Sequence, residues 1–128
     1  MKTSKNSTSV IACLFVGIAL SLNTNKTIAQ NIPTDSVVNY IGKTVKVCDK
    51  VYGTHVSKGE KKVSSLNLGA DFPNQKLTVV IFESDLAKFS YTPTVFLKDK
   101  NVCVTGKIMT YKEKPQIVLN DPANLTYE

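Results

Sequence analysis

The sequence predicts an all-β fold, a small barrel of five strands with one short helix, and three observations lead to this prediction. Five segments carry the apolar patterns of strands, and clusters of glycine, proline, asparagine and aspartate separate them. Only one segment, between the third and fourth strands, has helical character. The chain of 128 residues suits a single domain.

The N-terminal segment lies outside this predicted domain. Lys2 and Lys5 precede an apolar run at residues 10–22, and small residues lead up to a cleavage position after Ala29. The run is shorter than the roughly 20 residues that a transmembrane helix needs. Residues 1–29 are therefore predicted to be a secretory signal peptide, with an uncleaved membrane anchor as the alternative.

The exported domain is expected to span residues 30–128, with its core at about 40–122. It would be periplasmic or secreted, with no membrane span after cleavage. Loss of the signal-peptide lysines lowers the basic residues from 16 to 13 against 10 acidic ones, so the net charge falls from +6 to +3. So mild an excess attracts anionic partners weakly, and a specific site must come from local clustering.

The first two predicted strands alternate with a period of two residues. The first, residues 43–53, has Val45 and Val47 on one face and Cys48 on the other, beside lysines. The second, residues 63–68, follows a polar loop that contains glycine. Each strand therefore has one buried face and one outer face.

The last three predicted strands differ in pattern. Residues 76–82 are apolar on both faces, which predicts a third strand that is covered on both sides. Residues 83–89 form one or two helical turns. Residues 101–111 and 115–120 form the fourth and fifth strands.

Five strands with a helix after the third follow the order of an OB-fold, a five-stranded Greek-key barrel that hides its sheet edges. In that order the first strand lies beside the fourth, so Cys48 and Cys103 become outward-facing neighbours. Opposed antiparallel residues are close enough for a disulfide, and an oxidising compartment favours one. The sequence therefore predicts a Cys48–Cys103 disulfide, with two free cysteines as the alternative.

Three segments carry a resemblance to a known family: YIGKTVKVCDKVYG, SLNLGADFPNQKLTVVIF and LKDKNVCVTGKIMTYKEKPQIVLNDP, at residues 40–53, 65–82 and 97–122. Together they resemble a family of small bacterial exported OB-fold proteins that are generally described as nucleic-acid-binding-like. The resemblance runs from about residue 40 to residue 121. It implies the fold, and it makes nucleic-acid binding an expectation.

The chain departs from the family pattern at four positions. The family usually has glycine where this chain has Asp49, Asp99 and Glu113, and often an aromatic residue at Ser65. Glycine tolerates positive φ best, so its absence at Glu113 makes a tight primed turn harder. The absence of an aromatic ring at Ser65 removes a platform for stacking on the second strand.

No motif for catalysis, a metal or a cofactor occurs in the sequence. The single histidine, His55, has no cysteine or carboxylate at ligand spacing. Asp71, Glu83 and Asp85 flank the third strand, where such residues ordinarily cap turns. A hydrolase using these acids is a third alternative, but the chain has no arginine to stabilise developing charge. The sequence thus predicts a protein that is not an enzyme.

OB-folds bind ligands across the second and third strands, between the loop joining strands one and two and the loop joining four and five. Both loops carry tyrosines and lysines, which can stack on bases and contact phosphates. The predicted ligand-binding residues are Tyr52, His55, Lys58, Lys61, Lys62, Tyr111, Lys112 and Lys114. The alternative is that these lysines only keep the domain soluble.

The resulting hypothesis is a non-catalytic OB-fold binding module for an extended anionic ligand, with single-stranded nucleic acid ahead of other polyanions. The rival hypothesis is a periplasmic protein that binds a protein partner or a small ligand, or that serves in stress, with no nucleic-acid role.

Overall fold

The computed structural model describes residues 28–128 of the chain. The predicted signal peptide falls, apart from its last two residues, outside the described residues. Within residues 28–128 no helix has the length and apolar character needed to cross a membrane.

Eight strands and four short helical segments make up this part of the chain. The strands are β1 (Gln30–Ile32), β2 (Thr44–Val56), β3 (Val63–Leu68), β4 (Leu77–Phe82), β5 (Asn101–Lys107), β6 (Met109–Tyr111), β7 (Lys114–Val118) and β8 (Leu125–Tyr127). The helices are α1 (Glu83–Leu86), α2 (Pro93–Phe96) and two 3₁₀ helices, Thr34–Tyr40 and Pro122–Asn124. The predicted all-β class with a short helix after the third predicted strand is confirmed.

The strands form one hydrogen-bonded sheet in the order β6-β7-β4-β3-β2-β5-β8, with β1 paired to β2. The β1–β2 and β4–β7 pairs are parallel, and the other pairs are antiparallel. Strand β2 is 13 residues long and pairs with β5 through its first half and with β3 through its second half. The register shifts between Val51 and Gly53, where the strand changes partner.

The predicted number of strands was wrong, because the structure has eight strands instead of five. The predicted fourth strand is divided at Ile108 into β5 and β6. The Ile108 N–H donates to the Lys43 carbonyl at 3.0 Å, and the Ile108 carbonyl accepts from the Gly42 N–H at 2.7 Å. The backbone of Ile108 is therefore bound to the turn before β2. Strands β1 and β8 have three residues each, too few to show a period of two.

The core lies on the inner face of the strands. Val45 and Val47 of β2 and Leu66 of β3 are almost or wholly inaccessible to solvent, as their alternation predicts. Residues from the two ends of the described chain, Ile32 and Leu125, join the same core. The short terminal strands therefore bury apolar surface against residues of the predicted core at about 40–122.

The predicted disulfide is confirmed. Cys48 of β2 and Cys103 of β5 are directly opposed in the antiparallel register, and their sulfurs are 2.08 Å apart. The alternative of two free cysteines is wrong. The bond links residues 55 positions apart, so it closes a loop that includes β3, β4 and both α-helices.

Two of the three positions where the family pattern has glycine adopt positive φ in this chain. Asp99 has φ 67°, and Lys112 and Glu113, with φ 50° and 67°, form the two-residue turn between β6 and β7. Positive φ at both central residues is the signature of a type I′ hairpin turn. The primed turn therefore forms without glycine. Asp49 instead lies within β2, in extended backbone.

Candidate ligand-binding groove

A groove of about 610 Å³ runs over the outer face of the β3–β4–β7 part of the sheet. Its base includes Ser65 of β3, Thr78 and Val80 of β4, and Gln116 of β7. These residues are side by side because Ser65 pairs with Val80, and Thr78 pairs with Gln116. The alternate residues of β4 point inward, so this strand contributes to the core and to the groove.

The position of β4 corrects one expectation. Its two apolar faces predicted a strand covered on both sides, and the inner face is indeed buried at Val79 and Ile81. On the outer face Val80 is also buried, at 7% exposure, so the prediction holds there, but this face lines the groove and Phe82 at its end is 44% exposed. The second apolar face therefore forms part of the groove and is exposed at its Phe82 end.

Three aromatic side chains line the groove with much of their surface exposed. Phe72 is 72% exposed, Tyr111 is 60% exposed and Phe82 is 44% exposed. The aromatic pairs found within residues 28–128 do not include any of these three rings. The Lys112 Nζ atom lies 5.5 Å from the centroid of the Tyr111 ring. The rings thus leave faces free for an aromatic or apolar ligand.

Phe72 belongs to the β3–β4 turn, residues 69–76, which several polar contacts hold. The Asp71 carboxylate accepts from the Phe72 N–H at 2.7 Å, and the Asp71 carbonyl accepts from the Asn74 N–H at 2.8 Å. The carboxylate also lies against Gly53 of β2, where a Cβ atom would overlap it. Glycine at this position therefore gives the turn room to pack on β2.

The hairpin tip between β6 and β7 forms a second wall of the groove. Tyr111, Lys112 and Lys114 line it, as the sequence predicted for these three residues. The Lys114 Nζ atom donates to the carbonyl of Pro73 at 3.4 Å, which joins the tip to the β3–β4 turn. Aromatic rings and ammonium groups therefore meet at one end of the groove.

The other five predicted site residues do not line the groove. Tyr52 is on β2, with the Lys50 Nζ atom 5.3 Å from its ring centroid. His55, also on β2, is the register partner of Ser65 and so lies on the strand beside the groove. The remaining three are exposed in the β2–β3 loop: Lys58, Lys61 and Lys62. This loop reaches the groove only through its flanks, Ser57 and Val63.

Sequence reasoning missed Phe72, Phe82 and Gln75 as groove residues. Phe82 had a signal, because it extends the second apolar face of its strand, and a contiguous exposed apolar patch marks a contact with protein or ligand. Phe72 had a weaker one, since it stands in a turn cluster where apolar rings are uncommon. Nothing in the sequence marked Gln75.

The acids that could serve a hydrolase are engaged separately. Asp71 holds the β3–β4 turn, and Asp85 accepts from the Lys88 ammonium at 2.8 Å. Between residues 28 and 128 no three histidine, cysteine, aspartate or glutamate side chains gather as a metal site would require.

A second aromatic group, the aromatic cluster, includes a residue of β8, the strand that pairs with the disulfide strand β5. It consists of Phe89, Tyr91, Phe96 and Tyr127, whose neighbouring ring centroids are 4.8–5.6 Å apart. The Lys100 Nζ atom stands 4.6 Å from the Phe96 centroid. Burial, and secondarily the neighbouring Tyr127, raises the pKa of the Tyr91 phenol. The centroid distances show that these rings pack against one another.

No family model matches the chain, and no curated protein matches it in sequence. Among solved structures it is similar to yeast Stn1 and Ten1, with 12% identity and a TM-score of 0.56 over 82% of this chain. The chain covers 65% of that structure's chain, which is an OB-fold protein. It also aligns with a putative aspartyl-tRNA synthetase from Leishmania major Friedlin, with 16% identity and a TM-score of 0.45, over 86% of this chain and 23% of that one. The first similarity indicates an OB-like fold.

Proposed function

We propose that this protein is an exported, non-catalytic OB-fold module that binds single-stranded nucleic acid in the groove. The observation that carries the proposal is the convergence of three exposed aromatic rings with two lysines on one concave surface. Stacking platforms beside positive charge are the combination by which sequence-tolerant proteins hold single strands.

Connectivity of the sheet supports a closed barrel. Residues 101–111 are extended apart from Ile108, and they pair with β2 through β5 and with β7 through β6. The path β7-β4-β3-β2 therefore returns to β7 through this one stretch. On this reading β2, β3, β4, β5–β6 and β7 are the five OB strands, and the groove crosses the second and third of them, where OB-folds bind ligands.

The groove also compensates for Ser65, where the family pattern has an aromatic residue. Phe82 is on β4, which pairs with the strand of Ser65, and Phe72 rises from the turn that joins the two strands. A stacked base contributes about 1–3 kcal/mol in such sites. Phe72 and Phe82 would therefore provide the base-stacking surface that an aromatic residue at position 65 provides in the family pattern.

Export is supported by two independent observations. The N-terminal sequence has the charge, apolar run and small residues of a signal peptide. The disulfide between Cys48 and Cys103 suits an oxidising compartment.

A small apolar ligand or a protein segment is the second candidate. Val63, Val80 and Pro115 also line the groove, so much of its surface carries no charge. A cavity of about 610 Å³ is also within the range of small-molecule sites, roughly 300–1,000 Å³. This candidate predicts binding that is insensitive to salt.

A titration of the purified full-length chain into fluorescently labelled oligothymidylate tests the proposal. We expect binding that weakens steeply as salt rises, since each neutralised phosphate adds about 0.7 to the slope of log K against log salt. Changing both Lys112 and Lys114 to alanine should lower that slope by about 1.4.

The matched control is the variant in which Lys58 and Lys61 are both changed to alanine. It removes the same charge from the β2–β3 loop, outside the groove lining. An unchanged slope locates the phosphate contacts at the hairpin tip, and an equal loss of slope extends the site to that loop. Absence of binding even at low salt would leave the second candidate ahead.

A further inference from the structure

One buried polar atom of a residue that lines the groove has no hydrogen-bond partner. Among the side chains of residues 28–128, Gln75 Oε1 is the buried oxygen or nitrogen without a hydrogen bond. The Gln75 Nε2 atom donates to Thr78 Oγ1 at 3.4 Å, and both residues line the groove. A buried acceptor that stays unpaired is costly and uncommon in native proteins, which is why it points to a function.

We infer that Gln75 Oε1 accepts a hydrogen bond from the edge of a nucleobase. The inference rests on the proposed function and narrows it, because a polyphosphate chain at neutral pH offers acceptors and no donor. Every nucleobase carries at least one N–H donor. Binding in the groove would then depend on a hydrogen bond to a base as well as on contacts with phosphates.

The position of Gln75 suits this role. It follows Phe72 by three residues in the same β3–β4 turn, and the Lys76 N–H beyond it donates to the Leu68 carbonyl at 2.9 Å. A base stacked on an aromatic ring presents its polar edge sideways, toward a groove wall. An amide has two donor hydrogens, so Nε2 can bond Thr78 and still donate to a base oxygen next to the N–H.

Two synthetic strands that differ by one methyl group per base test the inference on the unaltered protein. Thymine has a single base N–H, at N3, and N3-methylthymidine lacks it while it keeps the ring and the phosphates. We expect the methylated strand to bind about 5-fold or more weakly, the loss that follows when a buried acceptor stays unpaired.

The variant Gln75→Leu should bind the two strands equally, because it has no acceptor to lose. The matched control is Gln116→Leu, which removes an amide from the same groove and should keep the preference. Without ligand, Gln75→Leu should also melt about 4 °C or more above the parent protein, since it removes an unpaired buried group. Gln75→Met serves the same purpose if the leucine variant does not fold.

The outcomes separate the two proposals. If neither strand binds, the proposed function is wrong. If both strands bind the parent protein equally, the proposed function stands and the role of Gln75 is wrong. Equal binding is also the result expected if the Gln75 amide is turned by 180° and presents a donor to the base. A preference that persists in Gln75→Leu would assign the effect to the bulk of the methyl group and would likewise overturn the inference.

Discussion

The two halves of the sheet use aromatic side chains in opposite ways. In the half built on β2, β5 and β8, the rings of the aromatic cluster pack on one another beside the disulfide. In the half built on β3, β4 and β7, the rings of Phe72, Phe82 and Tyr111 stand apart around a groove.

Under the proposed function, this difference predicts that the two halves contribute separately to stability and to ligand binding. The cluster rings contact one another and so contribute to folding, although Phe96 and Tyr127 are still 37% and 46% exposed. The groove rings have no aromatic partner among residues 28–128, so they contribute less to folding. We therefore expect substitutions in the disulfide half to change the free energy of unfolding, and substitutions in the groove half to change affinity.

The largest expected effect is on the disulfide half. Changing both Cys48 and Cys103 to alanine should lower the free energy of unfolding by about 4 kcal/mol, because the bond closes a loop of 55 residues. Urea denaturation measures it, and reduced parent protein is the control. A loss below about 1 kcal/mol would contradict the stabilising role of the disulfide. A change in the affinity of the folded variant for oligothymidylate would contradict the expectation that the disulfide half does not affect binding.

Removal of one cluster ring comes next. Phe89 is 9% exposed and contacts Tyr91 with centroids 5.6 Å apart. Phe89→Ala should lower the free energy of unfolding by about 3 kcal/mol, since it leaves a cavity in the core. The affinity of the folded fraction for oligothymidylate should stay that of the parent protein, and a matching loss of affinity would break the comparison.

Removal of a groove ring should act on binding instead. Phe72→Ala should weaken binding by about 1–3 kcal/mol per stacked base, while unfolding changes by about 0.5 kcal/mol or less. Fluorescence titration and urea denaturation measure the two effects. Val95→Ala is the control, because Val95 is 76% exposed, similar to Phe72, but belongs to α2 in the other half. Equal affinities for the two variants would remove Phe72 from the site.

A smaller effect is expected at the hairpin tip. Glu113→Gly should raise the free energy of unfolding by about 1 kcal/mol, because φ is 67° and glycine adopts positive φ without strain. Asp49→Gly should instead lower the free energy of unfolding. Asp49 lies in β2, and its carboxylate accepts from the Thr34 hydroxyl at 2.5 Å. Urea denaturation of both variants measures the effects, and the same sign for both would contradict this account.

The smallest predicted effect is a pH dependence in the aromatic cluster. Burial, together with Tyr127, raises the pKa of Tyr91, so the folded chain holds the phenolic proton more tightly than the unfolded chain. Its contribution to stability is complete below the unfolded pKa of about 10 and is lost as the pH rises through the higher folded pKa.

Urea midpoints at pH 9 and pH 11 should therefore differ less for Tyr91→Phe than for the parent protein. Below pH 9 the gap between the two proteins should stay constant. A steeper loss for Tyr91→Phe above that pH would reverse the assigned sign.

The disulfide half could be predicted closely from the sequence. Alternation located Cys48 and Cys103 on the outer faces of their strands, and strand order made them neighbours, which the register confirms. The faces of the cysteines follow from the two-residue period of a strand, and their proximity follows from the strand order of an OB-fold. Neither inference needs any knowledge of side-chain packing.

The groove could be predicted only in part. Tyr111, Lys112 and Lys114 were found because a hairpin tip must be exposed. Phe82 was not, because an apolar outer face has the same composition whether protein or ligand covers it. The direction of the β2–β3 loop was equally hidden, since glycine and lysine mark a loop without fixing its path. At Glu113, pairing of β6 with β7 outweighed the local preference of the residue.

The β3–β4 turn has a consequence for engineering. It supplies both an aromatic ring and an amide to the groove within four consecutive positions, Phe72 to Gln75, while the disulfide staples a different pair of strands. The turn could therefore be replaced while the disulfide-linked strands stay unchanged. If the proposed function holds, a library confined to residues 72–75, with the Gly53–Asp71 contact kept, would vary the ligand preference of the groove without altering the disulfide.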